Sequence, residues 1–96
     1  MRVYRPAISI PNAFTPNGDN VNDYFGIPDQ NKNRLIELRI YNRWGQLVFE
    51  TKTKSNKWDG KFKNIPQQTG LYIYDLVMAG LSGKRITHKG TVMLLR

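Results

Sequence analysis

Oxygen donors at alternate positions are the first feature of this chain that could do chemistry. Asn17, Asp19 and Asp23 flank Val21 in the stretch PNAFTPNGDNVNDYFGI, residues 11–27. A calcium loop uses donors at its first, third, fifth and seventh positions, turns sharply on a glycine at the sixth, and closes with a bidentate glutamate at the twelfth. Here Val21 stands at the fifth position, Asn22 at the sixth and Pro28 at the twelfth, with Asp29 one residue beyond. The same side chains suit Asx turns, in which they accept hydrogen bonds from the loop's own backbone. Calcium held by Asn17, Asp19 and Asp23, or a self-bonded clasp, are the two expectations for this segment.

Catalysis finds less to work with. His88, the sole histidine, lies between Thr87 and Lys89 with no acid beside it. Cysteine is absent, which removes thiol nucleophiles, thiolate metal sites and disulfides. The seven carboxylates are scattered, so an acid–base pair would need a tertiary accident. Ser82–Lys84, SGK, lacks the glycines and the helix of a phosphate-cradling loop. No catalytic residue and no cofactor other than calcium is expected.

Charge is more informative. Fifteen Lys and Arg against seven Asp and Glu leave a net charge of +8. Lys52, Lys54, Lys57, Lys61 and Lys63 crowd one segment, opposed only by Asp59. Such a cluster reads either as a solvated loop face or as attraction to an acidic surface that weakens with salt. Base stacking would need aromatics and cations interleaved on one sheet. Tyr72, Tyr74 and Phe49 instead fall on apolar faces, and Trp44 and Trp58 in turns, so no nucleic-acid partner is expected.

These residues must be carried by strands. With 96 residues, 40% hydrophobic and 23% charged, the chain suits a single globular domain. No stretch approaches the ~20 apolar residues of a membrane span, and MRVYRPAISIPN has no signal-peptide core, so no membrane insertion is expected. In RLIELRIYN, Ile36, Leu38 and Ile40 alternate with Glu37 and Arg39, the period of a half-buried strand. NRWG follows, with Asn42 suited to start a type I turn and Gly45 to its left-handed position. Pairing Asn42 with Gln46 sets Tyr41 opposite Leu47 and Ile40 opposite Val48. Residues 51–68 read as a long connection with a turn at Asp59 and Gly60, Trp58 capping the core. Gly70 opens LYIYDLVMA, where Tyr72, Tyr74, Leu76 and Met78 share one face and Asp75 marks the other as more exposed. In ITHKGTVMLLR, Val92 and Leu94 alternate with Met93 and Leu95, and Gly90 signals a bulge or a close backbone approach. Strands near 7–10, 23–27, 34–42, 46–50, 71–79 and 84–95 predict an all-β fold, a small antiparallel immunoglobulin-like sandwich of about six or seven strands.

Taken in order, PNAFTPNGDNVNDYF, IYNRWGQLVFE, WDGK, TGLYIYDLVM and KGTVMLLR resemble the gliding-motility-associated C-terminal domain. That is the type B C-terminal domain of type IX secretion substrates of Bacteroidetes. The resemblance covers residues 8–96, leaving 1–7 as linker. It implies a non-enzymatic signal that takes passenger domains lying upstream in a longer parent through the periplasm to the cell surface or medium. The implied partners are the type IX translocon and a dedicated outer-membrane β-barrel protein. The family usually has glycine where Asn20 stands, and asparagine tolerates the same left-handed angles better than most residues. The basic excess is not carried over from the family.

An export signal read after its passenger has folded must be a surface or a sheet edge. Candidate contacts are the loop with Asn17, Asp19 and Asp23, the turn with Arg43 and Trp44, and the last strand with Gly90, Leu94, Leu95 and Arg96. That strand either pairs with a receptor edge or completes its own sheet. Phe14 and Phe25 are expected to clamp the loop to the core, with Pro16, Gly18, Gly45, Trp58, Asp59, Gly60, Gly70, Tyr72 and Tyr74 as further structural positions. The competing reading is an adhesion or carbohydrate-binding sandwich, for which only Trp44 and Trp58 offer a sugar platform.

Overall fold

Strands whose side chains alternate between apolar and polar can bury one face and wet the other, and five of them here form a single sheet. The computed structural model describes residues 12–18, 23–28 and 33–96. Its strands are β1 (Ala13–Phe14), β2 (Arg34–Tyr41), β3 (Leu47–Thr51), β4 (Lys61–Phe62), β5 (Ile65–Pro66), β6 (Gly70–Ala79) and β7 (Arg85–Leu94). The sheet order is β1-β7-β6-β2-β3, and β4 and β5 make a separate hairpin. The described residues contain no helix. The domain is all-β, as expected, and consistent with a small sandwich.

The core lies on one face of the sheet. Leu35, Leu38 and Ile40 of β2, Tyr72, Tyr74, Leu76 and Met78 of β6, and Val92 and Leu94 of β7 are all buried there. Phe14 of β1 extends that face beside Leu94, while Phe25, Ile27 and Trp58 cover it, and the β4–β5 hairpin adds Phe62 at the margin. Among the described residues, Phe25, Ile27, Trp58 and the β4–β5 hairpin make the covering layer, and complete burial of a Phe or Ile side chain contributes roughly 1.5–3 kcal/mol. Phe25 and Trp58 exchange both backbone hydrogen bonds at 2.8 Å as an isolated antiparallel bridge.

Several expectations change in detail. Residues 23–27 form no strand beyond that Phe25 bridge, and the strand expected near 7–10 falls outside the described residues. The sheet is not wholly antiparallel, because β1 runs parallel to β7. Met93 N–H donates to Asn12 O at 2.9 Å and Leu95 N–H to Phe14 O at 3.0 Å. In the β2–β3 hairpin Tyr41 faces Leu47 as expected, but Ile40 faces Phe49 rather than Val48. A bulge at that point lets Val48 turn into the core beside the half-buried Phe49. A second irregularity opposite β6, between Leu35 and Glu37, swaps the buried residue from Ile36 to Leu35. The β4–β5 hairpin turns on Lys63 (φ 53°) and Asn64 (φ 66°), the paired left-handed angles of a type I′ turn.

Candidate functional site

The proline- and asparagine-rich opening segment is held by its aromatic residues. Phe14 sits 5.4 Å from Trp58 and 6.1 Å from Phe25, between ring centroids, and Phe25 lies 5.3 Å from Tyr74. Trp58 meets Tyr72 edge-on at 5.0 Å and donates its indole N–H to Lys61 O at 2.9 Å. An indole N–H out of water needs such a partner, so the turn after Trp58 is shaped to supply a carbonyl. Asp59 steadies that turn by accepting from Lys61 N–H at 3.0 Å. Gly60 has φ +83°, and a side chain there would press on Pro16 and Leu94 at 3.1 and 3.2 Å. Pro16 therefore docks the loop onto the WDG turn.

Asp23 answers part of the calcium question. Its Oδ1 accepts from Asn17 N–H at 3.1 Å and Gly18 N–H at 3.0 Å, the self-bonded clasp. Asp19 falls outside the described residues. Among the described residues no three His, Asp or Glu side chains gather as metal ligands.

Among the described residues, the β2–β3 turn presents the most exposed aromatic side chain. Asn42 Oδ1 accepts from Trp44 N–H at 3.0 Å and Gln46 N–H at 2.9 Å, while its Nδ2 donates to Gln46 Oε1 at 3.0 Å. Gly45, at φ +84°, closes the loop. None of this turn chemistry requires an indole, yet Trp44 is 69% exposed with the Arg43 guanidinium 4.5 Å from its ring centre. Trp44 also borders an open cleft of about 290 Å³ lined by Asn42, Gln46, Gln67, Gln68 and Tyr72. The Tyr72 hydroxyl donates to Gln68 O at 2.7 Å. Burial raises the Tyr72 phenol above its ordinary value, while Arg96 and Arg43 draw it back.

The residues proposed on β7 divide. Leu94 is fully buried, and Gly90 lies under the Tyr74 ring, so both serve packing. Leu95 is exposed but its N–H is used by β1. Arg96 Nη2 donates to Gln67 O at 2.9 Å and Gly60 O at 3.3 Å, which fixes its guanidinium. His88 lies beside Tyr74, 5.8 Å between rings, and among the described residues no acid is paired to it. Of the lysine cluster, Lys57 Nζ donates to Ile27 O and Lys54 O at 3.1 and 2.8 Å, an anchoring role the sequence reading missed. Lys52, Lys61 and Lys63 face solvent.

The opposite face of the sheet carries two kinds of row. Glu50, Arg39, Asp75 and Lys89 stand side by side across β3, β2, β6 and β7. Arg39 pairs with Glu50 at 2.6 Å and Glu37 at 3.2 Å, and Lys89 with Asp75 at 3.8 Å. Nearer the β2–β3 turn the same face is apolar: Leu47 faces Tyr41, Tyr41 faces Ile73, and Leu71 faces Met93. The missed signal was the second parity of LYIYDLVMA, where Leu71 and Ile73 are apolar although their face is wet.

The model of the CHU_C type IX secretion signal domain matches residues 8–94. No curated protein matches the chain.

Proposed function

Because the chain belongs to the CHU_C type IX secretion signal domain family, which assigns it a C-terminal targeting role in export by that system, we propose that the machinery reads it as a folded surface. Its family implies a passenger chain, interaction with the secretion system, and delivery to the cell surface or medium. In the proposed route the passenger crosses the periplasm folded, and an outer-membrane β-barrel partner engages the domain without any chemical turnover.

One observation carries this reading: the segment at the end of β7 is used twice within the chain. Met93 and Leu94 lie between β6 and β1, and Leu95 bonds to β1, so an incoming strand would first have to displace β1. A folded face therefore suits recognition better than β-augmentation at residues 93–95. Arg43 and Trp44 at the β2–β3 turn are exposed, as side chains that dominate protein interfaces must be.

Fusing residues 8–96 to a periplasmic reporter tests the targeting role. In cells with an intact type IX system the fusion leaves the cell; quantitative retention refutes it. Trp44 beside the amide-lined cleft favours a second reading, in which the domain binds saccharide through a flat ring and planar amides. A glycan array decides that alternative, since wild-type signal lost on Trp44→Ala supports sugar binding and silence across the array rejects it.

A further inference from the structure

Resting on the targeting reading, we propose that the solvent-facing side of the five-stranded sheet, at its β2–β3 turn end, docks the outer-membrane partner through Leu47, Ile73, Leu71 and Met93. Trp44 and Arg43 edge this patch, and the partner presents an apolar centre ringed by carboxylates.

Strand register makes the patch continuous. Leu47, Tyr41 and Ile73 stand in one row across β3, β2 and β6, and Leu71 and Met93 form the next row across β6 and β7. Leu71 also lines a groove with Arg43 and Trp44, which joins the patch to the turn. Four neighbouring strands span roughly 14 Å at about 4.8 Å each, wide enough for the centre of a protein contact. Leu47, Ile73, Leu71 and Met93 are 38%, 44%, 48% and 36% exposed. Contiguous exposed apolar surface of this kind marks interaction sites, unlike single exposed side chains.

The rest of the same face argues that the patch is not simply an unfinished surface. A few residues away the face is closed off by the Glu50–Arg39–Asp75–Lys89 row, whose charges pair internally. That half needs nothing from a partner. Arg43, by contrast, stacks on the Trp44 ring and pairs with no carboxylate among the described residues. An interface rich in Trp and Arg around an apolar centre has the composition of a binding hot spot.

Charge selects the occupant. A second copy would bring another net charge of +8 against the first, repulsion that disfavours self-association. A partner with carboxylates around an apolar centre pairs Arg43 and gains attraction from the whole basic domain.

The experiment uses the reporter fusion in cells carrying the type IX system. Three fusions are compared: wild type, Leu71→Thr with Ile73→Thr, and Arg43→Glu. Threonine keeps strand propensity, and a substitution in the turn touches no strand, so circular dichroism and melting should match wild type. The proposal expects export to fall about tenfold or more in both variants. Lys89→Thr, in the charged half, should leave export unchanged. Failure of the wild-type fusion to leave the cell would remove the targeting reading and this proposal with it. Wild-type export matched by both variants would overturn this proposal alone. A concentration-dependent dimer in sedimentation, abolished by the threonine pair, would reassign the patch to a second copy. Flotation with phosphatidylcholine–phosphatidylglycerol vesicles, lost in the same variant, would reassign it to a membrane surface.

Discussion

Gly90→Ala probes the close approach of β7 to β6. Gly90 faces Tyr74, and a Cβ built on it would lie 2.5 Å from the Tyr74 hydroxyl, 2.6 Å from Cζ and 2.9 Å from Cε2. Nothing in the backbone opposes alanine, since Gly90 does not occupy the left-handed region. Replacing glycine where the backbone permits it gains about 0.4–1 kcal/mol by restricting the unfolded chain. Overpacking a dense core costs about 1–3 kcal/mol. Tyr74 is buried, with Phe25 at 5.3 Å and His88 at 5.8 Å between ring centres, so the ring has little room to yield and the upper half of that range applies. The net is a loss of roughly 1–2.6 kcal/mol, or a melting temperature lowered by roughly 4–21 °C for a domain of this size. Thermal denaturation followed by far-ultraviolet circular dichroism measures it, with Gly80→Ala as control because its nearest non-neighbour atom is at 3.6 Å. In a Tyr74→Leu background the same Gly90 change should become neutral or stabilising. A Gly90→Ala protein melting at or above wild type would refute the packing argument and reopen Gly90 as a surface contact.

Three further outcomes follow from the same geometry. Burial raises the phenols of both Tyr72 and Tyr74 above the ordinary value of 10.0, so the unfolded chain loses those protons first. Their contribution is complete below that value and is lost as pH rises through the folded values, so urea midpoints should fall above about pH 10; a flat profile to pH 12 contradicts this. Deleting Leu94–Arg96 removes a fully buried leucine and the Arg96 bonds to Gln67 and Gly60. Loss of the leucine alone costs about 2–5 kcal/mol, so any export defect should accompany a collapsed melting transition, while Leu95→Ser should fold normally. Asp23→Ala strips two backbone amides of their acceptor and should cost about 1 kcal/mol. Calorimetry then separates clasp from metal: calcium heat and a raised melting temperature in wild type, absent in the variant, would assign Asp23 to calcium.

Particular residues mark where sequence reasoning succeeded and stopped. The buried faces of β6 and β7 were legible because Tyr72, Tyr74, Leu76, Met78, Val92 and Leu94 keep strict alternation with no bulge between those two strands. Asn42 and Gly45 announced their turn through side-chain chemistry that acts within four residues. On β2 and β3 the same logic slipped by one residue, at Ile36 and at Val48, because a bulge depends on the partner strand. The β4–β5 hairpin was overlooked because two-residue strands have no period, although Asn64 is a residue that tolerates its left-handed angle. Phe14 and Phe25 were recognised as anchors, but their shared target, Trp58, lies more than thirty residues beyond each of them.

By itself, then, the amino-acid sequence determined the all-β class, the main strands, the apolar faces, the basic excess, and motifs sufficient to indicate the family. The strands and their faces rest on local periodicity and turn preference, which each segment carries alone, while the charge is a matter of composition and the family of motifs matched in order. Only tertiary structure decided that β1 joins β7 in parallel, that Leu94 and Gly90 serve packing, and that Leu47, Ile73, Leu71 and Met93 meet on one exposed face. These depend on register between strands distant in sequence, and register is selected by the packing of the whole sheet.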